Sequence, residues 1–228
     1  MGSSIGPKIP YDKDLVLNLD AGNTRSYLGS GTVWNDLSGR NTDGTLSGTG
    51  NSLTRSGSGS TIDSIYFNGS ANASLVTGNF NYSTNARTIM VWARATAFNT
   101  YGHPFSYGTN ANNQATGIAQ GNTGSAWGTY ISGVEFISGG SAVALNTWYH
   151  VATTYDGSNA TVYVNGSIIV GPSTRSINVT QSIAYVGRYV GTGEDWRGNI
   201  SQVMFYNRSL SITEIKQIYN AQKSRYGL

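Results

Sequence analysis

The sequence predicts an all-β fold, a sandwich of many short antiparallel strands in one domain, closed by a single short C-terminal helix. Three observations point there. The stretch NTWYHVATTYDGSNATVYVNG (Asn146–Gly166) alternates residue by residue on both sides of Asp156-Gly157-Ser158-Asn159, the pattern of a hairpin with a tight turn. Runs of strand-forming residues recur between Gly and Asn clusters, and the chain holds 30 glycines among 228 residues. Helical periodicity is confined to one segment after Ser211.

Residues 1–13 read as an extended arm, because Pro7 and Pro10 interrupt regular structure. Two readings fit the arm: a tail lying on its own domain, or a docking element whose apolar Ile5, Ile9 and Tyr11 contact a neighbouring subunit. The domain proper is expected over residues 14–222. Its strands are predicted near 14–20, 64–69, 73–77, 87–95, 103–107, 115–120, 128–132, 134–138, 147–155, 160–165, 168–170, 182–188 and 197–206. Gly57-Ser58-Gly59-Ser60 is a flexible loop inside the domain. In the central hairpin, Trp148, His150, Ala152 and Thr154 should share one face, with Tyr149, Val151, Thr153 and Tyr155 on the other. Asn165-Gly166 then turns the chain into Ile168–Val170. At the helix, Ser211 and Glu214 have the spacing of a capping box. Ile212, Ile215, Ile218 and Tyr219 fall on one face, suited to cover the sandwich edge. Residues 223–228, KSRYGL, read as a basic C-terminal tail.

The hairpin resembles the central motif of LamG-like jelly-roll domains in the concanavalin A-like lectin/glucanase superfamily. Further pieces resemble the family in the same order: LVLNLDAGN (Leu15–Asn23), WNDLSGRNTDGTL (Trp34–Leu46), IYFNG (Ile65–Gly69), TIMVWARA (Thr88–Ala95), YVGR (Tyr185–Arg188) and WRGNISQVMFYNRSLSITEI (Trp196–Ile215). The resemblance spans roughly residues 14–222 and implies a concanavalin A-like jelly-roll β-sandwich. It also implies core positions for Trp34, Trp92 and Trp148. Function does not follow from it, because such a fold hosts lectins, enzymes and structural modules.

Composition narrows the classes. Charged residues are 11% and hydrophobic residues 38%, which suits a packed domain rather than a disordered chain. Net charge is +3, but the basic residues are scattered and do not interleave with aromatics, so no nucleic-acid partner is expected. No segment approaches the roughly 20 apolar residues of a membrane span, and the opening MGSSIGPKIPYDKD lacks the apolar core of a secretion signal. The absence of cysteine points away from disulfide-stapled secreted domains and towards a bacterial or viral source.

Candidate chemistry is sparse. Glycoside hydrolysis needs two opposed carboxyl groups. The glucanases that the chain resembles place theirs along one strand as E-x-D-x-x-E, and none of Glu135, Glu194 and Glu214 sits in that pattern. No catalytic residue is expected. His103 and His150 lack the companions of a nucleophilic site, and with no cysteine a zinc centre is excluded. The resemblance implies a structural calcium ion as an option, with Asp20, Asp36 and Asp43 as its acidic ligands and Asn41 in the same loop; the alternative is that Asp20 and Asp36 hydrogen-bond turn amides. Ser201 stands where the family has a further Asp, which removes charge from that site. Aromatic residues beside Gly/Asn-rich loops, Tyr101, Tyr107, Trp127, Tyr130, Tyr189 and Trp196, are candidate platforms for a sugar or a protein partner.

The sequence therefore supports a non-enzymatic binding or structural protein, with two readings. One is a bacteriophage virion component, a capsid decoration protein or tail-fibre module, because GPKIPYDKDLVLNLDAGNTRSY resembles the start of LamG-like proteins of tailed phages. Its partners would be other capsid or tail proteins in an oligomeric assembly, with host-surface glycans as a further ligand. The alternative is a free-standing carbohydrate-binding, lectin-like module.

Overall fold

A computed structural model describes residues 13–47, 63–70, 72–75, 80, 82, 86–179, 183–191 and 193–228. Ile5, Ile9 and Tyr11 of the arm, and the Gly57–Ser60 loop, lie outside the described residues. Fifteen strands occur in the order β1 (Leu15–Asp20), β2 (Val33–Trp34), β3 (Gly44–Ser47), β4 (Ile65–Asn68), β5 (Asn72–Leu75), β6 (Ala86–Ala95), β7 (Phe105–Gly108), β8 (Ala115–Gln120), β9 (Trp127–Ile131), β10 (Glu135–Gly139), β11 (Trp148–Asp156), β12 (Asn159–Val164), β13 (Ser167–Thr174), β14 (Ala184–Val186) and β15 (Arg197–Tyr206). Helix α1 (Ile212–Gln222) follows, with a 3-10 turn over Lys223–Tyr226. Two antiparallel sheets form. One runs β1-β15-β6-β11-β12-β13, with β4 also on β15, and the other runs β10-β9-β8-β7-β14-β5-β3-β2.

The central hairpin has the predicted form. The Asp156 carboxylate accepts from the Ser158 and Asn159 amides at 2.8 and 2.7 Å, and Gly157 takes φ 106° between β11 and β12. The turn at Asn165-Gly166 takes two successive positive φ values, 49° and 75°, which asparagine and glycine tolerate best. The two faces separate as expected. Tyr149, Val151 and Tyr155 point to the core between the sheets, while Trp148 and Ala152 point outward to clusters under the C-terminal segment.

In β15 the pairing to β6 shifts between Ile200 and Gln202, so Ser201 is an inserted bulge residue. The insertion flips parity. Ile200, Val203 and Phe205 all reach the inter-sheet core, while Met204 and Tyr206 face the opposite side.

The short strands β2 and β3 are additions to the predicted set, falling inside the Gly/Asn-rich loop, where two and four residues carry too little alternation to be recognised. Helix α1 starts at the expected capping box: the Ser211 hydroxyl accepts from the Glu214 amide, and the Glu214 carboxylate accepts from the Ser211 amide. It covers a sheet face rather than the sandwich edge, because Ile215 and Ile218 pack on Leu15, Met90, Tyr163 and Met204. The terminal residues are likewise more than a tail. Tyr226 is buried and lies flat on Trp92, with ring centroids 3.7 Å apart and planes 8° apart. A polar chain tethers the same segment: Trp92 Nε1 donates to Gln222 Oε1, Gln222 Nε2 to Gln202 Oε1, and Gln202 Nε2 to Asn18 Oδ1. Among the described residues no helix is long and apolar enough to cross a membrane.

Candidate functional site

Where the β9–β10 end of one sheet meets the β12–β13 edge of the other, the sandwich leaves a cavity of about 280 Å³. Trp127 and Tyr149 form its aromatic walls, meeting edge to face at 5.8 Å, and Val164 and Ile169 supply aliphatic surface. The Gly139–Ala142 segment forms the rim. Gly139 is required there, since a Cβ would stand 2.6 Å from the Ile169 carbonyl oxygen. The Tyr149 hydroxyl accepts from the Ala144 amide at 3.1 Å and so ties the rim segment to β11. Asn165 completes the wall, its Oδ1 accepting from the His150 amide at 3.0 Å. Among the described residues, none of those lining it is charged.

The aromatic residues singled out from sequence scatter over three environments. Trp127 lines the cavity although it is almost wholly buried. Trp196 packs behind it at 5.7 Å with no exposed surface, and Tyr107 is equally buried in the inter-sheet core, so neither side chain offers a surface platform. Their Gly/Asn-rich flanks suggested loops, but each is held inside by sheet residues distant in sequence. Tyr101, Tyr130 and Tyr189 gather elsewhere with Phe136 and His103. Tyr130 meets Tyr189 at 5.2 Å and Tyr101 at 5.8 Å, Phe136 meets Tyr101 at 5.3 Å, and His103 meets Tyr189 at 4.8 Å. Tyr101 and Tyr130 are half-buried and Tyr189 is buried. Tyr149, Asn165 and Ile169 were not singled out from sequence. The positive-φ turn at Asn165-Gly166 was the one local signal that could have found Asn165.

Within the tyrosine cluster, His103 is fully buried and its Nδ1 lies 3.5 Å from Glu194 Oε2. Burial lowers the His103 imidazole to about 3 and raises the Glu194 carboxyl to about 7, so both groups are held towards their neutral forms. Burial likewise lowers His150 to about 3. Rings and neutral groups fill this cluster by packing on one another.

The three aspartates do not fit a calcium site. Asp36 is spent on the loop: its Oδ1 accepts from the Asn18 and Ser38 amides at 2.8 and 2.9 Å, and its Oδ2 from the Ser38 hydroxyl and the Thr42 amide. Asp43 Oδ1 accepts from the Asp36 amide at 2.7 Å. Asp20 Oδ1 accepts from the Gly22 amide and from Arg225 Nη1 at 2.8 Å. Arg225 Nη2 also donates to the Ser201 hydroxyl at 3.0 Å, so a guanidinium stands against the first-strand acid. A Cβ on Gly22 would overlap that guanidinium. Among the described residues no three acidic, histidine or cysteine side chains gather as a metal centre.

Comparison with known proteins agrees with this architecture. No curated protein matches the sequence. Solved structures that share the fold include the Trypanosoma rangeli sialidase in complex with 2,3-difluorosialic acid, at 20% identity and TM-score 0.68 over 98% of this chain and 36% of the sialidase. Domain 4 of AbnA, a GH43 extracellular arabinanase from Geobacillus stearothermophilus, solved with arabinotriose, matches at 18% identity and TM-score 0.67 over 90% of this chain and 98% of that domain. The binding domain of Paraclostridial Mosquitocidal Protein 1 matches at 21% identity and TM-score 0.59, over 92% of this chain and 53% of that one. The chain thus spans about a third of the sialidase but nearly the whole of the arabinanase domain. Residues 67–216 match the family model of the concanavalin A-like lectin/glucanases superfamily, and the chain belongs to that superfamily.

Proposed function

We propose that this domain is a non-catalytic carbohydrate-binding module. The observation that carries the reading is the cavity, in which two aromatic walls and a fixed amide converge without any charged side chain. Sugars are held by such mixed surfaces, ring C–H faces on aromatic and aliphatic groups and hydroxyls on a few placed polar atoms. Most glycosidases cleave the bond with an acid and a second carboxylate, one on either side of it. Among the described residues no carboxylate lines the cavity, which favours binding without turnover. A neighbour of domain size in the arabinanase, solved with a bound oligosaccharide, supports the same reading. On a glycan array the protein is expected to retain a subset of glycans, and Tyr149→Ala to lose them by about tenfold or more while keeping its circular dichroism spectrum. An array with no retained glycan overturns the reading.

A narrower reading places the module on a bacteriophage particle, supported by the resemblance of its opening residues to LamG-like proteins of tailed phages. Cosedimentation with phage capsids by the full chain, and not by a form lacking residues 1–13, is the expected result. If neither form cosediments, the arm is no docking element.

A further inference from the structure

We propose that the cavity selects a single uncharged sugar ring and that Asn165 is the residue that reads it, an inference resting on the carbohydrate-binding reading above. At about 280 Å³ the cavity lies just under the ~300–1,000 Å³ of sites that enclose drug-sized ligands, which suits one ring entering end-on. A sialic or uronic acid would have to shed the hydration of its carboxylate there with no cation among the described lining residues to replace it. Neutral hydroxyls carry no such penalty, provided that a donor or acceptor meets them.

Asn165 is built to be that donor. It closes a two-way contact with His150, its main-chain N–H donating to the His150 carbonyl at 2.8 Å and its side-chain Oδ1 accepting from the His150 main-chain N–H at 3.0 Å. A main-chain N–H can only donate, so the carbonyl end of the side chain must face His150 and the NH2 end must turn away. That Nδ2 donates to no other described residue. Its backbone sits at φ 49°, a conformation that asparagine tolerates and β-branched residues do not. The side chain is therefore a fixed donor whose freedom was lost on folding, and little further ordering is needed when a sugar oxygen arrives. The Tyr149 hydroxyl in the same lining already accepts from the Ala144 amide, which leaves its own proton to offer.

The test is a titration of the full chain followed by two-dimensional 15N NMR. The neutral probes are methyl glycosides of glucose, galactose, mannose, N-acetylglucosamine and arabinofuranose, and the acidic probes are N-acetylneuraminic acid and glucuronic acid. At least one neutral glycoside is expected to shift the Asn165 side-chain and Trp127 indole signals, with both acids at least tenfold weaker. Asn165→Asp keeps an oxygen for the His150 amide and tolerates the left-handed backbone, so its spectrum should stay folded. Its affinity for the neutral ligand should fall about tenfold, the worth of one hydrogen bond. Acids that bind as tightly as neutral sugars overturn the selectivity, and full affinity in Asn165→Asp overturns the assigned residue. Shifts confined to signals far from Trp127 and Asn165 overturn the cavity as the site. If no sugar shifts any signal, the carbohydrate-binding reading itself falls.

Discussion

Replacing Tyr226 by alanine is expected to lower stability by about 3–5 kcal/mol, the loss typical of a buried aromatic ring. For a chain of this size that is a drop of roughly 10 °C in melting temperature. The size follows from what the ring joins. It stacks on Trp92, leans on Trp148 at 5.2 Å, and donates its hydroxyl to Ser201 Oγ at 3.0 Å. Ser201 Oγ in turn donates to the Asp63 carbonyl at 2.7 Å, so the terminal turn, the β15 bulge and the entry to β4 share one contact network. Tyr226→Phe keeps the stack and removes one hydrogen bond, and should cost only about 1 kcal/mol. Thermal melts followed by tryptophan fluorescence separate the two. Were Tyr226→Ala to melt within a degree of the parent, the terminal turn would lie outside the cooperative unit.

Stability should also fall as the solution is acidified below pH 6.5. His103 and His150 are fully buried and lowered from 6.5 to about 3, so the unfolded chain binds two protons that the folded chain refuses. A depressed histidine contributes its stability above its unfolded value and loses it as pH falls towards 3. Glu194 works in the opposite sense. Raised from 4.5 to about 7 by burial, it favours the folded state below pH 4.5 and loses that contribution as pH rises through 7. Near pH 5.5 two histidines outweigh one glutamate, and the net slope is about 1 kcal/mol per pH unit. Urea unfolding at pH 7.5, 6 and 5 should show midpoints that decline in step. Glu194→Gln removes the opposing contribution and should steepen the decline roughly twofold. Below pH 4.5 a further loss sets in at Glu214, which its hydrogen bond from Arg208 holds down at about 2. A stability curve that rises from pH 6 to pH 5 would mean that the histidines are hydrated in the folded protein.

The candidate cavity shows how unevenly function was written in the chain. Trp127 could be singled out as an aromatic in Gly-rich surroundings, but so could Trp196 and Tyr107, and only the first reaches the cavity. Gly108, Gly128 and Gly198, beside these three rings, serve instead to let strands approach. Tyr149 sat in plain view on the alternating face of the hairpin, yet its alternation recorded only that it points inward. Whether an inward residue meets another side chain or a gap depends on the opposite sheet, and no local pattern encodes that.

Determined by the sequence alone were the features set by neighbours along the chain: the β11–β12 hairpin, the Asn165-Gly166 turn, the Ser211–Glu214 capping box and the sandwich class itself. Each rests on backbone dihedrals or on period-two burial, which adjacent residues dictate. The tertiary structure alone decided where distant segments meet. Asp20 could be read as a metal ligand until Arg225, 205 positions away, was found against it. The terminal KSRYGL reads as a basic tail until Trp92 is brought beneath Tyr226. Burial and charge pairing are properties of what lies across the gap between segments, and that partner is chosen by the packing of the whole sandwich.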